Sequence, residues 1–138
     1  MGAHQTYLTN PRDVLAAKRL IEPEDVDKIA MLVLISLDAA KRGAAPASLA
    51  NTLTEHLLAS AAIWSQKGNR QLYERAVKAW TALRKACARP TALLDLTTGE
   101  YAAIRLSIAY YVKALPKLEV GVLAVAHDKA LRQLRAAP

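Results

Sequence analysis

The residues of this chain that could do chemistry are cations concentrated in its second half. Residues 1–66 carry 6 Lys and Arg against 7 Asp and Glu, whereas residues 67–138 carry 13 against 5. The segment 67–89 holds one anion, Glu74, and seven cations: Lys67, Arg70, Arg75, Lys78, Arg84, Lys85 and Arg89. A positive charge this concentrated indicates an anionic partner, either nucleic acid or an acidic protein surface.

Helical spacing sorts these cations onto one side of a helix predicted from Asn69 to about Arg89. At 100° per residue, one sector is apolar and holds Leu72, Ala76, Trp80, Leu83 and Cys87. The opposite side holds Arg75, Lys78, Lys85 and Arg89. Because the apolar sector must pack on the rest of the protein, we predict that the cations face solvent and that Trp80 and Cys87 are buried.

This stripe has two interpretations, an ordinary solvated surface and a binding face. Lys and Arg are good helix formers, so they occur on solvated helix surfaces without any binding role. The scarcity of compensating Glu favours a binding face, because ordinary surface helices mix both signs of charge. The C-terminal helix adds further cations, and two basic helices side by side would form one surface. The predicted partner-binding residues are Arg70, Arg75, Lys78, Lys85, Arg89, Lys129, Arg132 and Arg135.

The residue types used by metal sites and enzymes show no such pattern. His4, His56 and His127 are far apart in sequence, and no Glu-x-x-His or His-x-x-x-His pair is present. Glu55 and His56 are adjacent, so their side chains point in different directions on a helix. One cysteine rules out an internal disulfide or a multi-cysteine metal site. With no glycine-rich phosphate loop and no nucleophile elbow, we predict a protein that is not an enzyme and that uses no cofactor or metal.

The elements that must position these residues are all helical, and Pro and Gly mark their ends. Asn10 and Pro11 begin a short first helix that ends near Ile21. The later helices are predicted from Pro23 to Arg42, Pro46 to about Gln66, Asn69 to about Arg89, Thr97 to before Pro116, and about Leu118 to Arg135. No alternating strand pattern of useful length appears. The prediction is an all-α, single-domain bundle of five or six helices over residues 1–138, with residues 1–9 as an N-terminal tail.

The second of these helices is apolar on all sides from Ile29 to Ile35, so we expect it to be the buried centre of the bundle. Ala39, Gly43 and Leu49 match the spacing of a DNA-binding helix-turn-helix. The segment 48–55 carries no cation to meet a phosphate, however, so an ordinary helical hairpin is favoured.

Composition indicates helices that associate through small side chains. Phe is absent, and Ala is abundant. Tyr110 and Tyr111 cannot both face the same way on a helix, so one of them is expected at an edge or an interface. We therefore expect a homodimer formed by apolar helix faces. The lone cysteine, the apolar runs too short to span a bilayer and the absence of a secretory signal indicate a cytoplasmic protein with no membrane partner.

Several short segments of the C-terminal half form a recognisable set: residues 93–101, which read Leu-Leu-Asp-Leu-Thr-Thr-Gly-Glu-Tyr, then Tyr110-Tyr111 and Leu115-Pro116, together with 67–73. In these segments the chain resembles small uncharacterised helical proteins carried by bacterial phages and other mobile elements. The resemblance implies a bacterial cytoplasmic accessory protein, and it assigns a role to no residue.

These observations lead to one function hypothesis, an alternative that uses the same surface, and a third, ranked last, in which the bundle is an enzyme whose site has no sequence motif. The leading hypothesis is a non-enzymatic binding protein that docks the basic face of its C-terminal half onto an acidic protein. The alternative is a DNA- or RNA-binding regulator. The two differ in salt dependence, because binding to phosphates falls steeply as salt rises.

Overall fold

Five α-helices with short connections make up most of residues 15–136, the part of the chain that this computed structural model describes. They are α1 (Pro23–Lys41), α2 (Ala47–Lys67), α3 (Arg70–Cys87), α4 (Thr98–Ala114) and α5 (Val120–Ala136), with a 3-10 turn at Leu115–Lys117. No strand occurs within the described range, so the predicted all-α bundle is confirmed. Of the predicted first helix, residues 15–17 are helical and the beginning lies outside the described residues.

The ends of the helices follow the capping signals in the sequence. The Asn69 side chain accepts a hydrogen bond from the backbone N–H of Leu72, and this begins α3. Thr97 and Glu100 form a reciprocal capping box at the start of α4. Gly68 ends α2 with a φ of 70°, a left-handed conformation that glycine adopts without strain.

The centre of the bundle is α2, which packs against all four other α-helices. The expectation that α1 is central was wrong. Its inner side buries Val33 and Leu37, but its outer side leaves Met31 and Ile35 exposed by 63% and 54%. A helix that is apolar all round can pack on one side and still present an apolar face elsewhere. No helix between residues 15 and 136 has the length and apolarity that a bilayer crossing requires.

Backbone hydrogen bonds outside the helices tie distant parts of the chain together at both ends of the bundle. The N–H of Ile21 donates to the carbonyl of Leu118, which fixes the entry to α1 beside the entry to α5. At the other end, the N–H of Leu94 donates to the carbonyl of Ala45, in the turn between α1 and α2. This second contact holds the connection between α3 and α4, and thereby sets how those two helices meet.

Candidate functional site

The basic helix α3 packs through small side chains. Its buried residues are Ala76, Ala79, Leu83 and Ala86. The buried line is therefore rotated away from the sector predicted from the sequence, because alanines at 79 and 86 let the neighbouring helices approach closely. As a result Cys87 is exposed, so the prediction that it is buried was wrong. Trp80 was predicted to be buried in the core, but it is half-buried at the edge of the core. The guanidinium carbon of Arg84 lies 4.8 Å from the centroid of the Trp80 ring.

Two lysines of the predicted basic face remain exposed on α3. Lys78 and Lys85 are both solvent-exposed, and neither forms an ion pair with a carboxylate within residues 15–136. They are seven residues apart, so they lie about 10 Å from each other along the same side of the helix. This pair is the part of the predicted stripe that is available to a partner.

Arg89 occupies a different position from the one predicted, since it is tied to α4. Its Nη1 and Nη2 donate to the two carboxylate oxygens of Glu100 at 2.7 and 2.6 Å, and Nη2 also donates to the carbonyl of Asp95 at 2.6 Å. Such a two-pronged pair is geometrically specific. The hydrogen bonds from Arg89 lower the pKa of Glu100 to about 2, so this carboxylate stays charged throughout the neutral range. Arg89 is therefore a structural cation that joins α3 to α4.

The remaining predicted cations on α3 are also partly engaged. Arg70 pairs with Glu74 one turn later at 3.1 Å, in an exposed position. Arg75 is half-buried, and its guanidinium carbon lies 5.8 Å from the centroid of the Tyr110 ring. Tyr110 is partly exposed and Tyr111 is fully buried, which confirms that the two tyrosines face different environments.

The three predicted cations of α5 do not extend this surface directly. Lys129, Arg132 and Arg135 are exposed, and Arg132 pairs with Asp128 at 2.5 Å. No α-carbon of α5 lies within 8 Å of one in α3, because each helix packs against α2 instead. The eight predicted residues therefore fall into two groups, one on α3 and just after its end, the other on α5.

A groove runs between α3 and the first turns of α4, and we call it the basic groove. It encloses about 420 Å³ and is lined by Lys78, Ala82, Lys85, Arg89, Thr97, Gly99, Glu100 and Ala103. Ala82 and Ala103 supply apolar surface, and Lys78 and Lys85 supply positive charge. The backbone N–H groups that begin α4 add the positive end of a helix dipole. The groove can therefore accept a ligand that is anionic and partly apolar.

A second cluster of polar residues lies in the interior, where it links α2, α4 and α5. The Tyr111 hydroxyl is 2.7 Å from Nδ1 of His56 and 3.2 Å from Nε2 of His127, and Nδ1 of His127 is 3.0 Å from Oε1 of Glu55. Since a carboxylate only accepts, the neutral form of His127 donates to Glu55 and accepts from Tyr111. The Tyr111 oxygen then accepts from the Nδ1–H of His56, so each of the three hydrogen bonds in the cluster has one donor and one acceptor.

Burial sets the charge states at the inner end of this cluster. It lowers the pKa of His56 to about 4, and the nearby His127 adds to this effect while Glu55 opposes it. Burial also raises the pKa of the Tyr111 hydroxyl well above its ordinary value. At neutral pH His56 and Tyr111 are both uncharged, which suits a group of side chains that water does not reach.

The interior cluster joins α2, α4 and α5 by side-chain hydrogen bonds, and it is separate from the basic groove. Tyr111 and His56 are buried, and neither lines the basic groove. Sequence reasoning missed the cluster because its members are 55 and 56, 111 and 127, which no local spacing connects. Glu55 and His56 point in different directions, as predicted, since Glu55 contacts His127 and His56 contacts Tyr111. No group of three or more His, Cys, Asp and Glu in residues 15–136 is arranged to hold a metal ion.

Comparison with known proteins identifies no relative of this chain. No protein-family model, curated protein or solved structure matches the chain. The resemblance to helical proteins of phages and mobile elements therefore stays a prediction.

Proposed function

We propose that this protein is a non-enzymatic docking protein that binds an acidic segment of another protein in the basic groove. The observation that carries the proposal is the combination of two exposed lysines, Lys78 and Lys85, with an alanine-lined floor between α3 and α4. Carboxylates of the partner would pair with the lysines, and its apolar side chains would cover Ala82 and Ala103. Charge would speed and select the encounter, and the apolar contact would slow dissociation.

The fixed pair of Arg89 and Glu100 supports this assignment, because it holds the two walls of the groove together without using either lysine. A pre-formed groove costs a partner less ordering than a mobile one. The same geometry favours an acidic protein over a nucleic acid. Tight binding to a phosphate backbone draws on many cations, about 6–10 in typical complexes. This face offers few that are unpaired, since Arg70 and Arg89 already have carboxylate partners.

The test is a binding comparison by fluorescence anisotropy. The probes are labelled 15-residue peptides that alternate glutamate with leucine or alanine, and single- and double-stranded 15-mer DNA. We expect the acidic peptides to bind more tightly than either DNA, with only a moderate loss as salt rises. Preferential DNA binding that falls steeply with salt would replace the proposal with the nucleic-acid alternative.

A matched pair of variants locates the binding surface. Lys78→Glu combined with Lys85→Glu should weaken peptide binding at least about tenfold, since it places like charges across the groove. Lys129→Glu combined with Arg135→Glu changes the net charge equally on α5 and should leave peptide binding close to that of the wild type. An equal loss in both double variants would mean that total charge, and no particular groove, attracts the peptides.

A further inference from the structure

The outer face of α1 is apolar at its centre and exposed to solvent. Met31, Leu34 and Ile35 are 63%, 49% and 54% exposed, whereas Val33 and Leu37 on the opposite side are buried. Scattered apolar residues on a surface are ordinary, but these lie on adjacent turns of one helix and form a continuous patch. A patch of this kind marks a contact with another macromolecule.

Charged residues flank this patch in an order that decides which partner fits. One exposed stripe along α1 and its C-terminal cap consists of Glu24, Lys28, Met31, Ile35, Asp38 and Arg42. The steps between them alternate between four and three residues, as in the contact seam of paired helices, and the stripe extends for about 27 Å. Before the apolar centre the stripe carries a negative charge and then a positive one, and after the centre it again carries a negative charge and then a positive one.

This order is complementary to itself when a second copy runs in the opposite direction. An antiparallel pairing centred on Val33 places Met31 against Ile35 of the second copy. In the same register Lys28 meets Asp38, and Glu24 meets Arg42. Two-fold symmetry repeats each pairing, so the apolar centre is flanked by four pairs of opposite charge. A parallel pairing in register would instead place each charge against its own kind.

The geometry points to an antiparallel homodimer in which α1 packs against α1 of a second copy. This inference goes beyond the proposed function, because none of the stripe residues lines the basic groove. The antiparallel arrangement also sets the acidic first turn of one α1, with Glu24 and Asp25, beside the basic end of the other, with Lys41 and Arg42. Within each copy Asp38 already pairs with Arg42 at 2.8 Å, so a carboxylate is in place to receive Lys28 of the second copy.

The first measurement is the mass of the wild-type protein in solution by light scattering and sedimentation equilibrium. We expect about 30 kDa, twice the chain mass of 15.0 kDa, at micromolar concentration. A protein that remains monomeric at high micromolar concentration overturns the inference, whatever else covers the α1 face.

Charge reversal then tests the register. Lys28→Glu places two like-charged pairs in its own homodimer, and Asp38→Lys does the same with the opposite sign. Each variant alone should weaken dimerisation about tenfold or more. An equimolar mixture of the two should dimerise nearly as well as the wild type, because each mutated residue then faces an opposite charge. Ile35→Glu should weaken the dimer through the apolar centre instead.

The controls separate an interface effect from a folding effect. Lys129→Glu makes the same change as Lys28→Glu on a different helix, and it should leave the dissociation constant of the dimer unchanged. All variants should retain the helical circular dichroism of the wild type, since the substituted side chains are exposed. A dimer that tolerates Lys28→Glu, Asp38→Lys and Ile35→Glu alike forms through another surface, and that result also overturns the inference. Peptide binding in the basic groove is measured separately, so either proposal can fail without the other.

Discussion

The hydroxyl of Tyr111 lies 2.7 Å from Nδ1 of His56, and this buried hydrogen bond joins two residues that are 55 positions apart. It connects α4 to α2, the helix that packs against all the others. On its other side the same hydroxyl reaches His127 of α5. One side chain thus links three helices, and replacing it tests how much the interior cluster stabilises the fold.

Tyr111→Phe should lower the free energy of unfolding by about 2 kcal/mol. The substitution keeps the ring but leaves a buried nitrogen of His56 without a partner, and an unsatisfied buried polar group costs about 1–3 kcal/mol. Urea denaturation at neutral pH measures the change. Tyr110→Phe is the matched control, because Tyr110 is partly exposed and takes no part in the cluster. Equal stabilities of the two variants would mean that the hydrogen bond contributes nothing measurable.

The low pKa of His56 predicts that the protein loses stability in mild acid. The ordinary pKa of 6.5 applies in the unfolded chain, and burial lowers it to about 4 in the folded one. The unfolded state therefore binds the proton first as pH falls. Stability is complete above pH 6.5 and declines towards pH 4, by roughly 3 kcal/mol in total if this group acts alone.

Urea denaturation between pH 7 and pH 4 measures this loss, and NMR titration of the His56 ring measures the pKa directly. In a His56→Gln variant the stability should depend less on pH over this interval. A His56 ring that titrates near 6.5 in the folded protein contradicts the prediction.

The pair formed by Arg89 and Glu100 acts at a lower pH than His56, and its contribution to stability is likewise lost as the pH falls. Its hydrogen bonds lower the pKa of Glu100 from 4.5 to about 2. The resulting stabilisation is complete above about pH 4.5 and is lost as pH falls towards 2. Glu100→Gln should therefore be less stable than the wild type at pH 6, and the difference should shrink towards pH 2. Thermal melts at both pH values measure it, and a difference independent of pH would show that the charge of Glu100 is unimportant.

Thr97→Ala should destabilise the protein by about 1 kcal/mol, because it removes the side chain that caps α4. The Thr97 hydroxyl accepts from the backbone N–H of Glu100 at 3.2 Å, and the Glu100 carboxylate accepts from the N–H of Thr97 at 2.9 Å. Thr98→Ala is the control, since Thr98 is exposed and belongs to the helix itself. Chemical denaturation measures the stability of both variants. A loss in Thr97→Ala alone identifies the cap, whereas an equal change in both variants would reflect the helix propensity of alanine.

Gly121→Ala should destabilise the junction between α5 and the segment before α1. A Cβ at position 121 would lie 2.8 Å from the Cβ of Ala17 and 3.1 Å from its carbonyl oxygen, closer than atoms pack without movement. Gly99→Ala introduces the same methyl group in the first turn of α4, where no atom lies within 4 Å. We expect Gly99→Ala to be neutral or slightly stabilising, because alanine restricts the unfolded chain. Melting temperatures in the reverse order would contradict the close contact.

The candidate site could be predicted in part, because the cations of α3 lie at regular helical spacing. That spacing correctly placed Lys78 and Lys85 on an exposed side. It gave no sign that Arg89 is held by Glu100, since Arg89 follows the end of α3, Glu100 lies in the first turn of α4, and the two meet only after the connection folds back. The interior cluster was unpredictable for the same reason, as Glu55 and His127 are brought together by packing and not by local pattern.

The sequence by itself determined where the helices begin and end. Asn69, Thr97 and Gly68 act within a few residues of themselves, through capping hydrogen bonds and a left-handed turn that depend only on the local backbone. Only the tertiary structure decided which sides of those helices are buried. The middle of helix α1, from Ile29 to Ile35, is apolar on all sides, so its own pattern selects no inner face. The surrounding helices bury Val33 and leave Met31 exposed. In α3, close packing of alanines rotated the buried line and left Cys87 in solvent, because contact between helices depends on the shapes of both partners.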